Sequence, residues 1–425
     1  MRFQEREFSM LSVSDALDMI LLHVHSGSQE SVSLTHSLSR VLAADLAVPS
    51  DSPPFDKALM DGFAVHSESV VKSSSDVHAE TRTFRVVEVI AAGTTPSIPL
   101  GNGLASRIMT GAPLPDGCDC VVPIEQTMFD ESAPESVTIP GGCIFPESNL
   151  MRCGTAARAG SKLLATGTRI QPQQIAALAE FGFASIPVYR KPLVAVLATG
   201  NELTPVNEAL KPGSIRNSNE PMLIAQIEAC GAVPLALGIA RDEEASLQNA
   251  IQKGLQTDYF LLTGGVSAGL LDLVPQQLRR AGVSQVFHGV HMKPGKPLWF
   301  GKYERDLQRC LVFGLPGNPV SSLACFELFV RPALQRFSGL PDKVNSLTAV
   351  LTDFIQVKGD RPVYHPVHVS IQNGQLIAQP IPWSGSSDLR ATVEANGMAL
   401  LLVRHGLYKA GERVEVYLWG DQRLI

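Results

Sequence analysis

The chain carries no excess of basic side chains. Its 35 Lys and Arg stand against 41 Asp and Glu, a net charge of −6. General nucleic-acid binding needs a basic footprint, so it is not expected, and any anion site must be local. No apolar run approaches a membrane span, since MALLLV is only strand length, and no membrane association is expected. The opening MRFQEREFSMLSVSDALDMI mixes charges without an apolar core, so no secretory signal is expected. Paired cysteine spacing is missing too. Cys118, Cys120, Cys143, Cys153, Cys230, Cys310 and Cys325 are scattered and odd in number, and GCDC lacks both the two-residue spacing of zinc sites and a second pair. Reduced thiols and a cytoplasmic location are expected. Tandem repeats and low-complexity tracts are absent as well.

At 425 residues, 45% of them hydrophobic and 18% charged, the chain is too long for one core and predicts two to four globular domains. Residues 10–45 read as helical, with Ser12 or Ser14 as cap and Ala16, Leu17, Ile20, Leu21 and Val24 at helical spacing. From about 80 to 146, short apolar runs alternate with Gly/Pro turns and predict a small β-domain. QPQQIAALAEFGF then reads as an amphipathic helix. Between 191 and about 337, the runs PLVAVLATG, VPLALGIA, DYFLLTGG and CLVFGLPG alternate with helical patterns. That is the signature of a parallel sheet covered on both faces, a three-layer α/β/α domain. Past about 338, VHVSIQNGQLIAQPI reads as a hairpin turning at Asn373-Gly374, and GERVEVYLW adds a strand, so the tail is all-β.

Three strands of the α/β segment run into small-residue loops: ATGNE (198–202), TGGVSAG (263–269) and GLPGNPVS (314–321). Ligands of open parallel sheets bind beyond the carboxyl ends of the strands, where glycines admit close approach and helix N-termini favour anions. None of the loops matches G-x-x-x-x-G-K-[ST] or G-x-G-x-x-G, which disfavours the nucleotide folds that carry those signatures. Gly264, Gly265, Pro316 and Gly317 lie in these loops. Ser267 is placed to cap one following helix. Asn318 is expected to cap the other, with Pro319 as its first residue.

HMKPGKPLWFG (291–301) adds Lys293 and Lys296 on a loop stiffened by Pro294 and Pro297, with Gly295 allowing a tight turn. A rigid basic loop predicts an anion site. Taken singly, the glycine loops read as ordinary βα turns and the lysines as a solvated loop; together they favour a phosphate- or oxyanion-binding crevice. Glu202, Asp242 and Asp272 accompany the loops. Carboxylates beside a bound anion need a cation between them, which predicts Mg²⁺ held by these three. For Asp242 alone, a helix-start role is the simpler reading.

SPPFDKALMDGFAV, RIMTGAPLPDGCDCVVPIEQT, GTRIQPQQIAALAEFG, VAVLATGNEL, LLTGGVSAG, HMKPGKP and GLPGNPVSS follow one another in the order and spacing of the molybdopterin molybdenumtransferases, the family of bacterial MoeA and the homologous half of gephyrin. The resemblance covers nearly the whole chain. It implies a four-part subunit: a linker region (1–45 and 147–190), a β-rich domain (46–146), a molybdopterin-binding α/β domain (191–337) and a C-terminal β-barrel (338–425). It also implies a homodimer, and insertion of molybdate into adenylylated molybdopterin with release of AMP, using Mg²⁺; other proteins of molybdenum cofactor synthesis are possible partners.

Carried over by position, Asp61 of MDGFAV, Glu202, Asp272 and Lys293 match catalytic positions, and the resemblance sets Asp61 facing the partner subunit's α/β site. Thr110 of RIMTGAP matches a substrate contact, with a turn residue as its plain alternative. The chain departs from the family at Thr155 and Ala156, which replace acids, and at Leu270 and Leu271. It departs again at Lys57 and Ala58, and at Glu220, where a basic residue is common. Two other readings remain at this point: a non-catalytic molybdopterin-binding or scaffolding paralogue, and an adenylyltransferase of the preceding step.

Overall fold

The computed structural model describes residues 10–69, 81–241, 243–265, 273–341, 346–403 and 406–420. They fall into two compact units, one drawn from 10–44, 166–176 and 184–420, the other from 45–165 and 177–183. No helix among them is long and apolar enough to cross a membrane. All seven cysteines are free.

The first unit is built on the apolar runs. Helix α1 (Val13–Leu21) starts where Ser12 Oγ accepts the Asp15 N–H, and buries Ala16, Ile20 and Leu21. The strands are β1 (Leu193–Thr199), β2 (Val233–Ala240), β3 (Tyr259–Thr263), β4 (Ser284–His288), β5 (Trp299–Arg305) and β6 (Gln308–Leu315), in the order β2-β1-β3-β6-β5-β4. Neighbours from β2 to β6 are parallel, as their continuous apolar character predicts. The sheet is not wholly parallel, however: β5 runs antiparallel to both β6 and β4. The short ERDLQ turn between β5 and β6 leaves no room for a crossover helix, and so forces a hairpin. Helices α2 (Asn219–Ala229), α3 (Glu244–Gly254), α4 (Leu273–Arg280) and α5 (Pro319–Cys325) follow strands as expected, and α6 (Arg331–Phe337) comes after α5 with no strand between. Two apolar clusters separate the alternate strand residues: Val194, Val196 and Leu261 in one, Ala195, Leu197 and Leu262 in the other. That division is what burial of both sheet faces requires.

Between α5 and α6 the helix widens into one π-helical turn, Phe326–Val330. Pro332 has no N–H to return to residue 328, so the regular ladder fails there. The tail closes into a five-stranded barrel of β7 (Ser346–Leu351), β8 (Val363–Gln372), β9 (Gln375–Pro380), β10 (Gly397–Leu401) and β11 (Arg413–Leu418). The β8–β9 hairpin turns at Asn373 and Gly374, with φ of 49° and 77°, the two positive values that a type I′ turn needs.

One expectation fails near the start. Helix holds only for 13–21; Gln29–Ser33 is a strand paired antiparallel with Ser185–Tyr189. Its QESVS sequence, with two Ser and a β-branched Val, has little helical propensity to oppose that pairing.

The second unit carries a six-stranded sheet with Gly62–Val65 between Cys120–Pro123 and Leu104–Ile108, then Thr81–Ile90, Ser136–Pro140 and Met128–Phe129. Gly62 is required at its position: a Cβ there would lie 2.0 Å from the Val122 carbonyl oxygen. Burial pushes the Cys118 thiol up to about 11 and the Cys120 thiol up to about 12, which fits inert core thiols.

Candidate active site

Three strand ends meet on the first unit. Gly264 takes φ of +85°, and its Cα is so close to β1 that a Cβ would stand 2.4 Å from the Thr199 carbonyl oxygen. Its N–H donates to the Leu315 carbonyl at 3.2 Å. Gly265, at φ +61°, packs as tightly against Val274 and the Thr199 hydroxyl. Gly317 faces Gly264, and a Cβ on Gly317 would lie 3.6 Å from the Gly264 Cα. The ATGNE, TGG and GLPGN loops therefore converge, as adjacent parallel strands β1, β3 and β6 dictate. Glu202 is exposed, and its carboxylate folds back over Gly200, where a Cβ would meet Oε2 at 2.5 Å.

Asn219 ties α2 to this crossing. Its Nδ2 donates to the Gly317 carbonyl at 2.7 Å, while its Oδ1 is buried without a partner among the described residues. The sequence did not single out this residue, because an Asn at a helix start reads as a plain cap.

The two lysines stand on a loop whose backbone is fixed by bonds to its surroundings. Gly295 takes φ of +114°, and a Cβ there would press within 2.9 Å of Cys325 Sγ. Lys293 is sewn to the barrel: its N–H donates to the Pro362 carbonyl at 2.8 Å, and Tyr364 N–H donates back to the Lys293 carbonyl at 2.7 Å. This pairing carries Arg361 to the lysines. A cavity of about 240 Å³ results, lined by Lys293, Lys296, Arg361, Asn318, Ser321 and Ser386, with Pro316 and Trp383 among its walls.

Neither lysine has a carboxylate partner among the described residues, whereas Arg361 Nε reaches Asp360 at 3.1 Å. The guanidinium holds the Asp360 carboxyl below its ordinary value. The Trp383 indole N–H is buried with no acceptor among the described residues, and its ring meets His365 edge-on at 5.6 Å. His365 gives its Nε2 proton to the Ile381 carbonyl at 3.0 Å, and burial lowers its pKa, so it is a neutral prop rather than a charge. Three cations, two hydroxyls and an amide around one small space supply the charge and the donors that an oxyanion would call for. Arg361, Trp383 and Ser386 come from the barrel, and only main-chain pairing across 70 residues of sequence reveals them.

Asn318 does precede α5 and Pro319 begins it, yet Asn318 does not cap that helix. Its Nδ2 donates to Ser386 Oγ at 2.9 Å, and Val320 N–H donates to the Ser386 carbonyl at 3.1 Å. The barrel loop thus supplies the acceptor that a self-cap would have supplied. Glu202, Gly264 and Gly265 do not line the lysine cavity; they belong to the neighbouring strand ends. Ser267, Asp242 and Asp272 lie outside the described residues, as do Leu270 and Leu271. Among the described residues no three His, Cys, Asp or Glu gather as a metal cluster.

In the second unit, Asp61 and Thr110 are joined by register. Gly62 pairs with Ile108, which brings the residues before and after those strands together. The Thr110 hydroxyl and N–H both donate to Asp61 Oδ1, each at 2.7 Å, and these bonds hold the Asp61 carboxyl below its ordinary value. Thr110 therefore fixes the Asp61 carboxylate. Thr155 and Ala156 sit in a loop folded round Asp51, whose Oδ1 accepts the Ala159 N–H at 2.7 Å. Lys57 and Ala58 form a short strand against Leu150–Met151.

Comparison with known proteins agrees along the chain. Residues 11–182 match the MoeA N-terminal region (domain I and II), 195–336 a probable molybdopterin binding domain, and 348–419 the MoeA C-terminal region (domain IV). A molybdopterin molybdenumtransferase of Bacillus subtilis is 36% identical over 411 residues, covering 96% of this chain and 94% of its own. One from Synechococcus elongatus is 36% identical over 414 residues, covering 96% and 99%. The crystal structure of a molybdopterin biosynthesis MoeA protein from Pyrococcus horikoshii superposes with a TM-score of 0.83 at 31% identity, covering 97% of this chain and all of that one. With relatives this similar over nearly its full length, the chain belongs to the molybdopterin molybdenumtransferase (MoeA) family.

Proposed function

We propose that the protein inserts molybdate into adenylylated molybdopterin and releases AMP. The observation that carries this reading is the cavity of Lys293, Lys296 and Arg361. Molybdate is a compact tetrahedral dianion, and a small space with three cations and hydroxyl and amide side chains between them matches its charge and shape. Two of the cations share one stiff loop and the third comes from the barrel, and main-chain bonds hold both backbones, which reduces the entropy lost on binding. The converging loops at Gly264, Gly265 and Gly317 take the phosphate groups of the second substrate, where glycines let main-chain N–H groups approach closely.

Glu202 alone among the expected metal ligands falls on described residues, and one carboxylate with substrate phosphates and waters suits Mg²⁺. Asp242 and Asp272 complete the proposed set from sequence. Bound there, Mg²⁺ would offset the charge of the phosphates. Asp61 and Thr110 are assigned to the same reaction from the family's motifs, in a homodimeric, cytoplasmic enzyme. The four-part division at 45, 146, 190 and 337 is proposed with it.

The deciding experiment measures AMP release from adenylylated molybdopterin by the purified chain. Release should require both molybdate and Mg²⁺, and the gene should rescue a strain lacking its own molybdenumtransferase. Substrate binding without AMP release at any metal concentration would leave a scaffolding paralogue instead. ATP-dependent adenylylation of molybdopterin would point to the preceding step.

A further inference from the structure

We infer that a second pocket, beside the strand-end crevice, receives the 2-amino-4-oxo edge of a pterin ring on the carboxylate of Glu220. The inference rests on the proposed function for the identity of the ring, and goes beyond it in placing that ring. The pocket, about 530 Å³, lies between the first turn of α2, the end of β2 and the segment that joins Leu203–Thr204 to Ile215–Arg216. Its volume is that of a small-molecule site.

Glu220 is half-buried and held from two sides. Asn217 Nδ2 donates to Oε2 at 2.7 Å, and Gly238 N–H donates to Oε1 at 3.1 Å. Asn217 itself is buried and accepts the Glu220 N–H at 3.3 Å, so the carboxylate cannot swing freely. No Lys or Arg forms an ion pair with it among the described residues. Each oxygen keeps a free lone pair, and a fixed carboxylate with two parallel acceptors calls for two parallel donors. The N3–H and exocyclic 2-amino group of a pterin are such a pair. Pro205, Val206 and Ile224 supply apolar walls for the flat ring.

The position suits the rest of the ligand. Leu203, which lines the pocket, follows Glu202 directly, and Asn219 next to Glu220 binds the Gly317 loop. Asn219 is only 8% exposed, and its Oδ1 is buried without a partner among the described residues. A plain helix-start role would explain a Glu in the first turn, but not the cavity in front of it or the two donors that pin it.

The test titrates the full chain with 6,7-dimethylpterin and with 6,7-dimethyllumazine, which differ only at position 2, amino in one and oxo in the other, following ligand fluorescence. The pterin should bind at least tenfold more tightly. Glu220→Gln and Glu220→Arg should each weaken the pterin at least tenfold and shrink its preference over the lumazine, which keeps N3–H but sets an oxygen against the carboxylate. Val206→Asp, at a solvent-facing wall position that tolerates polarity, should weaken both. Equal binding of the two compounds, no binding to the unaltered chain, or pterin binding unmoved by Glu220→Gln overturns the inference. AMP release separates the two readings. If the unaltered chain releases AMP and Glu220→Gln leaves KM for adenylylated molybdopterin unmoved, the pterin site is wrong and the function stands. If pterin binding depends on Glu220 while no AMP is ever released, the function is wrong and the pocket stands.

Discussion

Asn318 Nδ2 lies 2.9 Å from Ser386 Oγ, so the residue that starts helix α5 binds the barrel loop rather than its own helix. The bond ties one wall of the cationic cavity to another. Asn318→Ala should cost about 1 kcal/mol in urea unfolding, the usual net worth of one such hydrogen bond. It should also raise KM for molybdate several-fold with a smaller change in kcat. Asn318→Asp reverses the bond, accepting from the Ser386 hydroxyl instead of donating to it, and adds a negative charge to the wall. It should therefore raise the molybdate KM more than Asn318→Ala does while costing less stability.

Removal of a cation tests the same cavity from the charge side. Arg361→Ala and Lys296→Ala should each raise the molybdate KM about ten- to a hundredfold, as expected for one charge-assisted hydrogen bond of about 1.5–3 kcal/mol. KM for adenylylated molybdopterin should move little. Added salt should weaken molybdate binding in the unaltered enzyme more than in either variant, because fewer charges remain to be screened. Equal effects on both substrates would move the anion site elsewhere.

Much of this was legible in the sequence, for a physical reason. Strands buried on both faces are continuous apolar runs, and β1, β3 and β6 were visible as such, while the edge strand β2 carries an equally apolar run with half-exposed side chains; the Asn373-Gly374 turn was visible too, its chemistry being local. The stiff KPGKP loop and the strand-end glycines were legible because their constraint lies within a few residues. Arg361, Ser386 and Asn219 were not. Their roles depend on pairings between distant segments, such as Lys293 with Pro362, and nothing in KGDRP or SGSSD announces a partner. Strand Gln29–Ser33 was missed likewise, because its pairing partner lies at 185–189. The antiparallel β5 was hidden for a different reason: its direction follows from a turn too short for a helix.

Gly264→Ala should abolish the crevice. The new Cβ would stand 2.4 Å from the Thr199 carbonyl oxygen, and the φ of +85° would be strained for any L side chain. The backbone strain alone costs about 1–3 kcal/mol, and β1 and β3 must part to relieve the clash. Thermal unfolding should drop accordingly, and AMP release should fall far more than the stability loss explains at temperatures where the variant stays folded. Gly231→Ala makes a useful contrast, since its φ of +77° is similar but its Cβ would meet nothing within 4 Å. It should lose stability through the backbone alone and keep its activity.

The pair of bonds from Thr110 to Asp61 fixes a titration. The Thr110 hydroxyl, then its N–H, hold the Asp61 carboxyl below the ordinary value, so the group stays ionised to lower pH than a free aspartate. For a depressed carboxylate, the favourable term is present above the unfolded value and is lost as pH falls through the folded one. Thr110→Val removes the hydroxyl donor and keeps the N–H. The Asp61 titration, followed by carbon NMR of the carboxyl, should then move up toward the ordinary aspartate range without reaching it. A titration that stays in place would show that the hydroxyl bond is not formed in solution.

Two deeply buried charges lie away from the site, on the π-helical turn and just after it. Glu327 and Arg331 are 5% and 8% exposed, and Arg331 grips the carboxylate with Nε at 2.6 Å and Nη2 at 3.0 Å. The same carboxylate accepts the Gln226 amide at 2.7 Å and the Gly420 N–H at 3.2 Å, so α2, the π turn and the end of the barrel share one anion. Arg331→Met leaves that anion uncompensated and should destabilise the protein by about 3–5 kcal/mol. Adding Glu327→Gln removes the charge and keeps one oxygen, which can accept from Gln226 or from Gly420 but not from both. The double variant should therefore recover part of the loss in urea unfolding, even though it has lost both charges. A double variant no more stable than Arg331→Met would mean that the arginine acts by packing against Phe326, whose ring it overlies at 5.8 Å, rather than by neutralising Glu327.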